Sequence, residues 1–145
     1  MTKRMTKREI SETAFILLFE KSFRDDSIDS LYDVAEEIGE LTINDKVRAL
    51  TEGVLAEEAT LDELIASFST KRAFSRIARV NVILLRIAMY ELRHRPETPV
   101  NVVISEAVSL SQIYATQEDT AFINGVLATY IKTLPPRGTD PTEEA

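Results

Sequence analysis

"RVNVILLRIAMYELRHR" (79–95) carries apolar side chains on nearly every side of a helical projection. A helix that is apolar all round is covered on all sides. This stretch therefore predicts a buried central helix, and with it an all-α chain. Working outward, the spacing of apolar residues stays helical and no stretch alternates with a clean period of two. Pro96 and Pro99 break the chain after the central helix, and two further helices are predicted at about 100–115 and 119–133. Upstream, a first helix is predicted at about 6–23, where Thr6 and Glu9 have the spacing of a capping box. A second follows at 28–39, ending near Gly39, and a third at 43–58. A fourth is expected to start after Thr60, with Glu63 completing another capping box, and "STKRAFSRIA" (69–78) is a turn. The expected fold is a compact bundle of about seven helices. It occupies residues 1–134 as a single domain, followed by an acidic tail, "PPRGTDPTEEA" (135–145), expected to be disordered.

Composition narrows the function. The chain has 145 residues, 44% of them hydrophobic, and no cysteine. That length suits one domain with a real core. Without cysteine there is no disulfide, thiolate metal site or cysteine nucleophile, which fits a reducing compartment. No apolar run approaches the roughly 18 residues of a membrane span, so no membrane partner is expected. The polar, basic start lacks the apolar stretch of a signal peptide, and a cytoplasmic location is expected. His94 is the sole histidine, and the four glycines at 39, 53, 125 and 138 form no phosphate loop. Glu57 and Glu58 fall in an acidic, solvated stretch. No catalytic group, metal or cofactor is expected.

The net charge of −7 is unevenly spread. Residues 25–64 hold thirteen acids against Lys46 and Arg48, whereas 1–8 ("MTKRMTKR") hold four bases and no acid, and 71–95 hold seven bases against Glu91. Two basic segments in an acidic chain are either solvated faces or a place for a polyanion. Arg86 interrupts the central helix and Glu106 interrupts the apolar "NVVISEAVSL" (101–110). A buried guanidinium and a buried carboxylate each need a partner, so an ion pair between Arg86 and Glu106 is expected.

Helices one and seven each leave two readings open. On helix one, Ile10, Ala14, Leu17 and Leu18 form the core stripe, while Arg8, Phe15, Phe19 and Phe23 fall on a second face. That face is either buried in a sandwiched helix or a surface for single-stranded nucleic acid, with cations on phosphates and an exposed ring under a base. Phe19 is the best placed of the rings. On helix seven, Ile123, Leu127, Tyr130, Ile131 and Leu134 face the core, and Ala121, Gly125, Ala128 and Lys132 run nearly opposite. Glycine in mid-helix costs about 1 kcal/mol relative to alanine. The small stripe implies either tight helix packing or an open shallow surface.

These segments resemble the NusB family of bacterial transcription antitermination factors. The resemblance lies in "LLRIAMYELRHRPETPVNVVISEAVSLSQIYA" (84–115), "FINGVL" (122–127) and "KREISETAFILLFE" (7–20), and covers about 7–134, most weakly between 25 and 70. It implies two small helical subdomains packed together. It implies a non-enzymatic antitermination factor that binds boxA-type single-stranded RNA of ribosomal operons together with the ribosomal protein NusE, within an RNA polymerase antitermination complex. Carried over by position, the RNA-binding residues are Lys3, Arg4, Lys7, Arg8, Phe19 and Phe122, with Glu118 and Asp119 in the loop before helix seven. The NusE surface is expected near solvent-facing Tyr90 and Glu91. Some relatives self-associate, so a homodimer is a further expectation. Ser11 and Ala121 stand where relatives often carry a base, and Phe19 lacks the hydroxyl of the usual tyrosine. Arg72, Arg76 and Arg79 are available to compensate. Two other functions fit the same segments: a protein-binding adaptor without intrinsic RNA binding, and a stand-alone relative of the RNA-targeting domain of RNA cytosine methyltransferases.

Overall fold

The computed structural model of the chain describes residues 4–136. Lys3 and, of the expected tail, residues 137–145 lie outside the described residues. Within them are seven α-helices, one 3-10 turn and no strand. The helices are α1 (Lys7–Lys21), α2 (Ile28–Ile38), α3 (Asp45–Ala56), α4 (Glu58–Phe68), α5 (Arg79–His94), α6 (Val100–Tyr114) and α7 (Gln117–Ile131), with the 3-10 turn at Phe74–Arg76. The chain divides between Glu57 and Glu58 into two compact units.

In the first unit α1 packs against α3 and α2. Its start is fixed as the sequence predicts. The Thr6 backbone donates to Glu9 Oε1 at 2.9 Å and the Glu9 backbone donates to Thr6 Oγ1 at 3.1 Å, so two of the orphan donors of the first turn are satisfied. Ser27 and Asn44 cap α2 and α3 from one side only, their side-chain oxygens accepting from the Ser30 and Val47 backbones. Gly39 ends α2 with φ +80°, the left-handed conformation that glycine takes without a Cβ penalty. The stripe Ile10, Ala14, Leu17 and Leu18 is buried, as are Leu31 on α2 and Val47, Leu50 and Val54 on α3. Tyr32 is wholly buried. Its hydroxyl donates to Glu52 at 3.0 Å and the Arg48 guanidinium lies 4.5 Å over its ring. Burial, then Glu52, pushes the phenol well above its ordinary pKa.

In the second unit α5 packs against α4, α6 and α7. Asn81 through Leu85, Ile87 through Met89, Glu91 and Leu92 are buried, so the central position expected of this helix is the one it holds. Two expectations need correction. Thr60 does not cap α4. The helix is already under way at Glu58, whose charge suits the positive end of the helix dipole, and Thr60 lies exposed within it. The second correction concerns Arg86, which pairs not with Glu106 but with α4. Its Nε and Nη2 donate to the two carboxylate oxygens of Asp62 at 2.7 and 2.9 Å, and Nη1 lies 3.2 Å from Glu58. A planar guanidinium fork is best met by a single carboxylate presented edge-on, and Asp62 on the facing helix provides one. Glu106 is buried on α6.

Candidate nucleic-acid interface

Along one side of α1, and just past its end at Phe23, runs a ladder of rings graded in exposure. Phe15 is buried at 2% exposure, Phe19 is half-buried and Phe23 is 62% exposed. The centroids of Phe15 and Phe19 are 5.8 Å apart with nearly parallel planes, and those of Phe19 and Phe23 are 5.0 Å apart edge to face. Of the two readings of this face, burial therefore holds at Phe15 and openness at Phe23. The ring most available to a base is Phe23, one turn beyond the expected Phe19. Ahead of the ladder, Arg4 is exposed, Lys7 donates to Ser11 Oγ at 3.0 Å, and Arg8 is half-buried with its Nε out of water and without a hydrogen-bond partner. An orphaned guanidinium nitrogen is a group still owed an acceptor.

In the second unit, considered by itself, a cation and a ring meet around Arg72. Its Nη1 donates to Asp119 Oδ1 at 2.9 Å while its guanidinium carbon lies 4.3 Å over the Phe122 ring. One carboxylate and one ring thus hold the cation against α7. Glu118 and Asp119 do not lie in the loop before this helix, where the family pattern puts them; they occupy its first turn. Thr116 is the N-cap, and Asp119 completes a capping box with it. Burial works against the charge of Asp119. The hydrogen bond from Arg72, the nearby Asn81 amide and the two bonds with Thr116 outweigh it and lower the carboxyl to about 2. Asn81 itself is wholly buried, close enough to favour that carboxylate yet without a hydrogen bond of good geometry at either amide atom. Asp119 is consequently a positioning residue for Arg72, whereas Glu118 is exposed.

Beside this pair runs a groove of about 420 Å³, with Phe68, Lys71 and Arg72 on one bank and Ala121, Phe122 and Gly125 on the other. Gly125 settles the reading of helix seven. A Cβ added there meets nothing within 4 Å, and Ala121, Gly125 and Ala128 are all exposed. The small stripe is a low open surface, not a packing seam. Arg76 and Arg79, the other candidate compensators, are exposed at and after the 3-10 turn. The pairing of Arg72 has no local signal in the sequence, since 47 residues separate it from Asp119. At the expected NusE surface, Tyr90 is half-buried with its ring 4.9 Å from that of His94. Glu91 is buried at 2% exposure, on the covered side of α5 one turn from Ile87 and Ala88, so it is not solvent-facing. Among the described residues no acids and histidine are grouped to hold a metal ion, and no helix is long and apolar enough to cross a membrane.

A family model described as the NusB family matches residues 8–132. The chain belongs to the NusB family. The transcription antitermination protein NusB of Carboxydothermus hydrogenoformans is 37% identical over 132 residues, which is 85% of this chain and 90% of that protein. That of Acetivibrio thermocellus is 33% identical over 130 residues, 88% and 90% of the two chains. Among solved structures, T. maritima NusB superimposes with a TM-score of 0.79 at 28% identity, covering 92% of this chain and 96% of the other. A chain in the crystal structure of the antitermination factors NusB and NusE in complex with double-stranded RNA gives 0.77 at 21% identity, over 88% and 97%. That last likeness is one of fold. The NusB relatives are antitermination proteins, which agrees with the non-enzymatic reading of the residues.

Proposed function

We propose that this chain is a cytoplasmic transcription antitermination factor that binds boxA-type single-stranded RNA together with NusE, in the RNA polymerase antitermination complex. The observation that carries the reading is the stacked and paired Arg72 on Phe122, in a chain of the NusB family. A second cation-and-ring face, on α1, supports it. Each supplies what an unpaired strand requires: charge for phosphate and a flat apolar surface for a base. Arg4, Lys7 and Arg8 serve the phosphates, and Phe19, Phe23 and Phe122 serve the bases. Lys3, by the same family pattern, joins the cations. Asp119 acts through Arg72, and Tyr90 remains the candidate contact for NusE. The test is an electrophoretic shift of boxA RNA with and without NusE, comparing the wild type with a Lys7→Ala/Arg8→Ala variant. The variant should bind more weakly, with the slope of log affinity against log salt reduced by about 0.7 for each phosphate that is no longer neutralised. Equal binding by the two proteins would exclude the basic start of α1 from the site. NusE binding with no gain in RNA affinity would favour the adaptor reading.

A further inference from the structure

Ala121 lines two grooves, one on each flank of α7. The first holds Lys71 and Arg72. The second, between α6 and α7, encloses about 580 Å³, and its polar groups are the carboxamides of Gln112, Gln117 and Asn124 and the hydroxyls of Thr116 and Thr120. No charged side chain lines it. Where the two grooves adjoin, the side chain on α7 is a single exposed methyl, that of Ala121; a long one there would stand as a partition.

The two grooves offer different chemistry to one ligand. Phosphates are held by cations. Base edges are distinguished by neutral donors and acceptors in fixed positions, and a carboxamide carries both an acceptor and two donors. A single strand of RNA exposes those edges, because its bases are unpaired and can be turned out. We propose that the two grooves form one track across Ala121, with the RNA backbone beside Lys71 and Arg72 and the neighbouring bases turned into the second groove, where Gln112, Gln117 and Asn124 discriminate among them. This rests on the RNA-binding reading above and adds to it the residues that set sequence preference. The absence of charge from the second groove is what makes it selective: a strand gains nothing there from its phosphates, so only the pattern of its base edges is felt.

The test uses the full chain with NusE in fluorescence-anisotropy titrations against a boxA-type RNA and a scrambled RNA of the same composition. Gln112→Ala/Asn124→Ala should cut the preference for boxA over the scramble by about fivefold or more, the effect of removing one amide–base pair. Its salt slope should match the wild type, because a neutral contact releases no counterions. Ala121→Trp should obstruct the track and lower boxA affinity by about tenfold, as unseating a stacked base would. All three positions are exposed, so the fold is retained, which a thermal melt checks. If the wild type prefers boxA and both variants keep that preference and affinity, the track is wrong while the proposed function stands. If the wild-type complex shows no preference at all, both fall. If Ala121→Trp abolishes NusE binding measured without RNA, the groove belongs to the protein partner and the inference is overturned.

Discussion

The carboxylate of Asp119 answers to three demands: it caps α7, pairs with Arg72 and holds that cation against Phe122. Removing its charge should be felt in all three. Its folded-state pKa of about 2 lies below the ordinary 3.8. The ionised form therefore stabilises the fold above about pH 4, and that contribution, roughly 2 kcal/mol for a side chain so little exposed, fades as pH falls toward about 2. Asp119→Asn should be less stable than the wild type at pH 7. The gap between the two in urea denaturation midpoint should close across the window from about pH 4 to pH 2. A gap that stays constant through that window would show that the carboxylate titrates elsewhere. The same substitution frees Arg72 from its anchor, so RNA affinity should fall although a negative charge has been removed.

Between elements, the joint of α4 and α5 is the Arg86–Asp62 fork with Glu58 behind it. Taking away one partner leaves a guanidinium that is mostly out of water. Asp62→Ala should cost about 2–4 kcal/mol, while Glu58→Ala, on a half-exposed side chain, should cost less than about 1 kcal/mol; both are read from thermal or chemical unfolding. On α1 the ring ladder separates stability from binding. Phe15→Ala empties a buried site and should destabilise by about 3–5 kcal/mol. Phe23→Ala should leave stability nearly unchanged and weaken RNA binding by about 1–3 kcal/mol. On α7, Gly125→Ala adds a methyl that meets no atom within 4 Å, so the helix should gain about 0.5–1 kcal/mol. A drop in melting temperature would mean that the surface over Gly125 is not as open as described.

For the molecule as a whole, what the sequence makes legible follows the range of the interaction concerned. Helix number, the Thr6–Glu9 box and the burial of α5 depend on residues within a turn or two of one another, and the spacing of apolar side chains encodes them. The start of α4 is harder to place, because Thr60 and Glu63 have capping-box spacing, yet capping requires an extended backbone that the chain has already left at Glu58. The partner of Arg86 is hidden for a different reason: sequence shows that a buried cation needs a carboxylate but not which facing helix presents it edge-on. Arg72 over Phe122, and the groove beside that pair, arise from segments far apart along the chain; charge clustering hints at the first, and nothing local encodes the second.

The enclosure of α5 by three neighbours has a kinetic consequence. Amide protons between Leu84 and Met89 lie in the middle of a helix packed against three others, so fraying at its ends does not expose them. Their replacement by deuterium should wait for the complete opening of residues 58–136. The slowest-exchanging backbone sites of that unit would then report its full unfolding free energy, and any substitution on α4, α6 or α7 that loosens the whole unit should accelerate them together.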